Sequence, residues 1–237
     1  RRPVRDVPLL LASEDLHVAQ VITWPEKNLD TEPGLRDCVS SGPLQSLENS
    51  VVNATGVKRG NVQKQWFDNK NRMFHVLGGE VSTVGGRYLV FHMNEIPDVV
   101  AKDGFRGATD PEFPSVEQYF ESIRAKQSVW VDASRPYGWD LPTLVACGMI
   151  DSVQVLNGDV REEGVQPIPK DVYRLDEMRY TVRDASMLWS LDIYYKLLEC
   201  GIHIPPSAGS GSGANDNPVG FNRVYVQLDG DFDYNEW

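Results

Sequence analysis

Short apolar segments alternate with amphipathic segments from about residue 73 onward, and this alternation restricts the possible folds more than any other feature. Residues 129–133 and 150–156 are typical of buried strands, and a helical segment opens at Asp184. Residues 115–118 form a capping box, and the apolar stripe that follows it predicts a helix packed against a sheet. Strands that alternate with helices indicate parallel βαβ units, so the sequence predicts an α/β fold.

The same patterns predict the other elements of the chain. Further strands are expected at 7–12, 21–23, 73–77, 88–93, 202–208 and 224–228, and a short helix at 140–145. Residues 25–65 are rich in Gly, Pro, Asn and Ser, which predicts a long irregular excursion. Residues 229–237 form an acidic, aromatic tail. The whole chain, 1–237, is predicted to be one domain and, because it stops soon after a predicted strand, a fragment of a longer protein.

Composition narrows the classes of function. The chain has 237 residues, of which 41% are hydrophobic, and α/β barrels are single domains of about 200–250 residues. Its formal net charge of -11 repels phosphate backbones and argues against nucleic acid as a partner. No apolar run reaches the roughly 20 residues of a membrane span, so we expect a soluble chain. Export with a removed signal peptide and the oligomeric state are left open.

Polar clusters follow several of the predicted strands directly. They are residues 14–17, 79–80, 132–135, 157–159 and 207–213. Because ligands of α/β folds bind at the carboxyl ends of parallel strands, we expect a small-molecule pocket there.

The order of these clusters resembles that of PHP domains, named for polymerase and histidinol phosphatase, and in particular the carbaryl-hydrolase-like branch of bacterial metallohydrolases. Asp15-Leu16-His17 is similar to the start of the family's Asp-x-His-x-His motif, with Ala19 at the third position. Gly78-Gly79-Glu80 is similar to its Gly-x-Glu motif. The resemblance runs from about Pro8 to the C-terminus and implies a distorted (β/α)7-type barrel.

Several family ligands are replaced in this chain. Arg87 stands where a His is expected, and Ser134 or Arg135 replaces the His of an Ala-His-Pro motif. Gln154 replaces a Glu, and glycines at 211 and 213 replace the final Asp and His. More than half of the family's metal ligands are therefore missing.

The resemblance implies two alternatives for the chemistry. In the first, Asp15, His17 and Glu80 hold one divalent metal (Mn, Mg or Zn) for hydrolysis of an ester, carbamate or phosphoester. Asp132 then assists, and Arg87 or Arg135 stabilises the developing negative charge. In the second, the barrel is not catalytic and holds no metal.

The second alternative rests on the arginines. Arg87 would pair with Glu80 or Asp15 in place of the metal's charge, and the pocket would bind a small ligand or a partner. Arg87 and Arg135 would also suit a carboxylate or phosphate group of that ligand. Whether the chain is an enzyme stays open between the two alternatives.

Two histidines outside these motifs are expected to be structural. His75 lies an odd number of residues before Glu80, which predicts that it faces the opposite side of the sheet. His92 lies in an apolar strand and is expected to be a core histidine.

Overall fold

The computed structural model describes residues 6–24, 64–67, 71–83, 85–93, 115–166, 185–212 and 217–231. The helices are α1 (Val7–Ser13), α2 (Val116–Arg124), α3 (Leu141–Ala146) and α4 (Ala185–Glu199). The strands are β1 (Val18–Trp24), β2 (Lys64–Phe67), β3 (Arg72–Thr83), β4 (Gly86–Phe91), β5 (Trp130–Arg135), β6 (Ser152–Leu156), β7 (Val160–Arg161), β8 (Gly164–Val165) and β9 (Pro206–Ala208). The predicted excursion lies outside the described residues except for 64 and 65, and so do residues 232–237 of the tail.

Seven strands form one mixed sheet that curls into a half-barrel, which confirms an α/β, barrel-like fold. The strand order is β1-β3-β4-β5-β6-β9, and β2 pairs with the first part of β3. The predicted parallel units are present where α3 connects β5 to β6 and α4 precedes β9. The β3–β4 and β4–β5 pairs are antiparallel instead. None of the helices in the described ranges has the length and apolarity that a membrane crossing requires.

One face of the sheet carries the hydrophobic core. Side chains of β3 to β6, namely Val81, Tyr88, Val90, Val131, Ala133 and Val153, pack against α2, α3 and α4. Because side chains alternate along a strand, the neighbours of these residues point to the other, inner face of the half-barrel. That inner face carries Glu80, Arg87, Leu89, Asp132 and Gln154, so it is far more polar than the helix-covered face.

The capping box predicted at the start of α2 is confirmed. The Ser115 hydroxyl accepts a hydrogen bond from the Gln118 backbone N–H, and the Gln118 side chain accepts one from the Ser115 N–H. Both bonds satisfy donors that a helix start leaves without partners. After the C-terminal end of α4, Gly201 has a φ of +79°. Glycine adopts this left-handed conformation more easily than other residues, and it commonly ends a helix.

Two predicted strands are wrong. Residues 7–12 belong to helix α1, in which Pro8 occupies the first turn and Leu11 is buried against Phe74. A short run of Leu and Ala suits either state, and a proline in the first turn favours a helix. Residues 224–228 are irregular, and Tyr225 is 87% exposed. The alternation of apolar residues favours a strand, but a strand forms only where a neighbouring strand is available to pair with it.

The segment 217–223 joins the two ends of the sheet order. Asn222 donates through its side chain to the backbone carbonyls of Asn157, Val160 and Gly209, which follow β6 and β9. The Arg223 guanidinium donates to the backbone carbonyl of Glu14, which precedes β1, and forms an ion pair of 3.1 Å with its carboxylate. This segment therefore closes the open side of the half-barrel.

We expect Asn222→Ala to lower the free energy of unfolding by about 2 kcal/mol, because buried carbonyl groups lose their donors. Chemical denaturation measures this change, and Tyr225→Ala, at an exposed position of the same segment, is the control with an effect below about 0.5 kcal/mol. Equal effects of the two substitutions would contradict a closing role for Asn222.

Candidate functional site

Glu80 and Arg87 form an ion pair on the inner face of the sheet. The Arg87 Nε lies 3.0 Å from the Glu80 Oε1, and the Arg87 and Glu80 side chains are 38% and 28% exposed, respectively. The pairing of Arg87 with Glu80, which the non-catalytic alternative requires, is thus present. Both side chains remain accessible to a small molecule in the half-barrel.

Asp132 lies at the centre of a buried hydrogen-bond network. Its Oδ1 accepts bonds from the Ser152 and Ser207 hydroxyls, and its Oδ2 accepts one of 2.6 Å from the Gln154 amide. The Trp130 indole N–H continues the network with a 2.8 Å bond to the Ser152 hydroxyl. Asp132 is only 1% exposed, so its carboxyl group joins β5, β6 and β9 and is closed to solvent.

Burial changes the acidity of this carboxyl group. It raises the pKa of Asp132 to about 6 from an ordinary value of 3.8, although the three hydrogen bonds lower the pKa in part. A carboxyl group with this pKa changes its protonation state in mildly acidic solution. Because the pKa of Asp132 in the folded chain differs from its ordinary value, the protonation of this group changes the free energy of unfolding.

Asp15 and His17 lie far from Glu80. Since residues 7–13 are helical, both residues precede β1 and lie at its amino-terminal end, beside the start of β3. Asp15 has an 84% exposed side chain and pairs with Arg72 at 2.6 Å. Glu80 lies eight residues beyond Arg72 in β3, roughly 25 Å along a strand at 3.3 Å per residue.

These positions bear on a metal bound by Asp15, His17 and Glu80. In the part of the chain that the structure describes, no three His, Cys, Asp or Glu side chains come close enough to hold a metal ion. Asp15 and Glu80 instead contact separate arginines. The residues that the resemblance assigns to the metal therefore do not fit one in this arrangement.

Arg135 takes part in a separate cluster at the carboxyl end of β5. Its guanidinium lies 2.8 Å from one oxygen of Asp159, and the Tyr137 hydroxyl donates to the other oxygen at 2.8 Å. Tyr137 also stacks on Trp189 of α4. Ser134, the alternative replacement for the family's His, donates instead to the backbone carbonyl of Arg87.

The loop after β9 approaches the Asp132 network closely. A methyl group at Gly209 would lie 2.9 Å from the Gln154 side-chain amide, so glycine allows this approach. Ser210, the next residue, exchanges hydrogen bonds with the Asn222 backbone. The Gln154 side chain therefore fills the space next to Gly209.

Gln20, His75 and His92 form a second polar cluster, which the motifs did not reveal. The two imidazole centroids are 5.2 Å apart, and the Gln20 Nε2 lies 3.0 Å from the His92 Nε2. His92 is half-buried, and the hydrogen bond to Gln20 is of the kind that a core histidine needs.

The pairing of β1 with β3 is irregular near His75. The chain advances three residues in β3, from His75 to Gly78, where β1 advances two, and then one residue, from Gly78 to Gly79, where β1 again advances two. The two irregularities offset each other, so the face of the sheet expected for His75 stays a prediction. A methyl group at Gly78 would lie 3.3 Å from Ile22 and Phe91 side-chain atoms, so the chain segments approach closely here.

Comparisons with protein-family models, with curated proteins and with solved structures found no match for this chain.

The raised pKa of Asp132 predicts a pH-dependent stability. Because the folded-state pKa exceeds the ordinary value, the neutral carboxyl group favours folding. This contribution is complete below about pH 4 and is lost as the pH rises through about 6, on the order of 3 kcal/mol. We expect Asp132→Asn, which cannot titrate, to lack this dependence.

Denaturation of both proteins between pH 4 and 7 tests the prediction, since subtracting the two curves removes the titration of all other groups. Parallel curves for the parent and Asp132→Asn proteins would show that Asp132 keeps an ordinary pKa.

Proposed function

We propose that this chain is a non-catalytic, PHP-like α/β barrel domain that binds a small anionic ligand on the inner face of its sheet. The supporting observation is the Arg87 guanidinium on the Glu80 carboxylate, at 3.0 Å and in a partly exposed position. In this proposal the fixed positive charge of Arg87 takes the place that a metal ion holds in the family which the sequence resembles.

The chemistry of the pair favours an exchangeable anion. A partly exposed ion pair contributes only about 0–1 kcal/mol, so a carboxylate or phosphate group can compete with Glu80 for the guanidinium. Arginine has five N–H donors in a planar fork, which suits two-point binding of such groups. The net charge of -11 repels large polyanions such as nucleic acid, whereas the positive charge of Arg87 on the inner face can still attract a small anion.

Asp132 supports the binding role by its position. A general acid or base has to reach the substrate, whereas Asp132 is 1% exposed and is held by Ser152, Ser207 and Gln154. We assign it to the rigidity of the wall behind the ligand. The competing proposal, a divergent metal-dependent hydrolase, requires Asp15, His17 and Glu80 to move together.

Binding of inorganic phosphate and of succinate tests the proposal. We expect Arg87→Ala to weaken binding at least about tenfold, because a charged donor is lost. We expect Glu80→Gln to strengthen it by about two- to fivefold, because the competing carboxylate is removed. Calorimetry gives the affinities, and the Arg87 Nε–H signal in NMR spectra locates the anion.

Lys196→Ala is the matched control, since it removes one positive charge from the outer helix α4 and should leave binding unchanged. Phosphate binding that Arg87→Ala leaves intact would contradict the proposal. Metal-dependent turnover of nitrophenyl esters or phosphates that is lost in Glu80→Ala would favour the hydrolase instead.

A further inference from the structure

We propose that Gln20, His75 and His92 form a binding site for one transition-metal ion, at the end of β4 away from Arg87. Gln20 lies on β1, His75 on β3, and His92 directly after β4, so three neighbouring strands contribute one group each. This site shares no residue with the set that the family resemblance assigns to metals.

The distances suit two or three ligands of one ion. Donor atoms that each lie about 2.1 Å from an ion are about 3.0–3.4 Å apart at angles of 90–109°. The Gln20 amide nitrogen lies 3.0 Å from the His92 Nε2, and a half-turn of the amide brings its oxygen to that position. The ring centroids of His75 and His92 are 5.2 Å apart, with an interplanar angle of 53°.

The hydrogen bonding of Gln20 points to a further ligand. Its Oε1 is buried and has no hydrogen-bond partner in the described part of the chain. A half-turn of the amide places this oxygen against His92 but leaves the amide nitrogen in the same buried position. In either orientation one amide atom stays unsatisfied, which is costly, and coordination of the oxygen to a cation removes that cost.

The ligand types select the class of ion. Imidazole nitrogens suit Zn, Cu and Ni, whereas Mg and Ca prefer sites made of oxygen atoms. His75 is 2% exposed, so the ion would be largely shielded from water. Along β4 the site lies about 17 Å from Arg87, at 3.3–3.4 Å per residue. The ion therefore does not compete with the anion proposed at Arg87.

The backbone φ of His92 is +63°, and this conformation limits which residue can replace His92 in a test. Non-glycine residues rarely adopt this conformation, but Asn tolerates it better than most. His92→Asn therefore removes the imidazole while keeping the backbone, and Gln20→Met removes the amide at nearly constant volume.

Titration with Zn²⁺, and with Co²⁺ as a spectroscopic probe, tests the site. The chain has four histidines, so single variants of each identify the ligands completely. We expect one ion to bind per chain, and His92→Asn and Gln20→Met to weaken binding at least about tenfold. His17→Ala and His203→Ala should leave it unchanged. In NMR spectra of the parent protein, Zn²⁺ should shift the imidazole signals of His75 and His92 alone.

The NMR measurement needs no substitution, so it decides even where a His75 variant does not fold. The proposal is overturned if neither ion binds, if His92→Asn binds as tightly as the parent, or if His17→Ala abolishes binding. The last outcome would return the metal to the residues that the family resemblance assigns.

Discussion

Asp132 carries a carboxyl group in the middle of the sheet, where a carboxylate without partners would cost several kcal/mol. Three side chains offset this cost by donating hydrogen bonds to the carboxyl group: Ser152 and Gln154 of β6 and Ser207 of β9. The same bonds fix the relative positions of three parallel strands. Gly209 approaches the Gln154 side chain of this network closely, and the burial of the network raises the pKa of Asp132 even though its hydrogen bonds lower that pKa in part.

The two faces of the sheet have different physical roles. The outer face packs against three helices and supplies the apolar burial that drives folding. The inner face holds charged and polar groups that contact one another in pairs or small clusters, such as Glu80 with Arg87. Because Arg87 and Glu80 already contact each other, an anion has to replace that contact. Binding is then an exchange of partners, which favours selectivity over high affinity.

Local sequence signals predicted the fold where short-range chemistry decides the outcome. The helix start at the Ser115 capping box and the strands β5 and β6 follow from neighbouring residues. The strand predicted at residues 7–12 failed because a short apolar run fits a helix equally well. This error also misplaced Asp15, which lies before β1 and not after it.

The candidate sites depend on contacts that no local pattern encodes. The family resemblance placed Arg87 at the position of a metal ligand, and because an acid without a metal needs a cation nearby, it implied that Arg87 pairs with Glu80 or Asp15. The closure of the Asp132 network was not predictable, because Ser207 is 75 residues away in the chain. The irregular pairing of β1 with β3 was not predictable either, because a sequence carries no clear mark of such a register shift.

The contact between Glu14 and Arg223 spans 209 residues, nearly the whole chain. Contacts of such separation form late, because the entropy of closing the intervening loop must be overcome first. On a ribosome, the residues just before β1 therefore gain this contact only after residue 223 has been synthesised. Until then β1, at one end of the sheet order, lacks this support, and an open sheet edge is the type of surface on which other chains pair and aggregation begins.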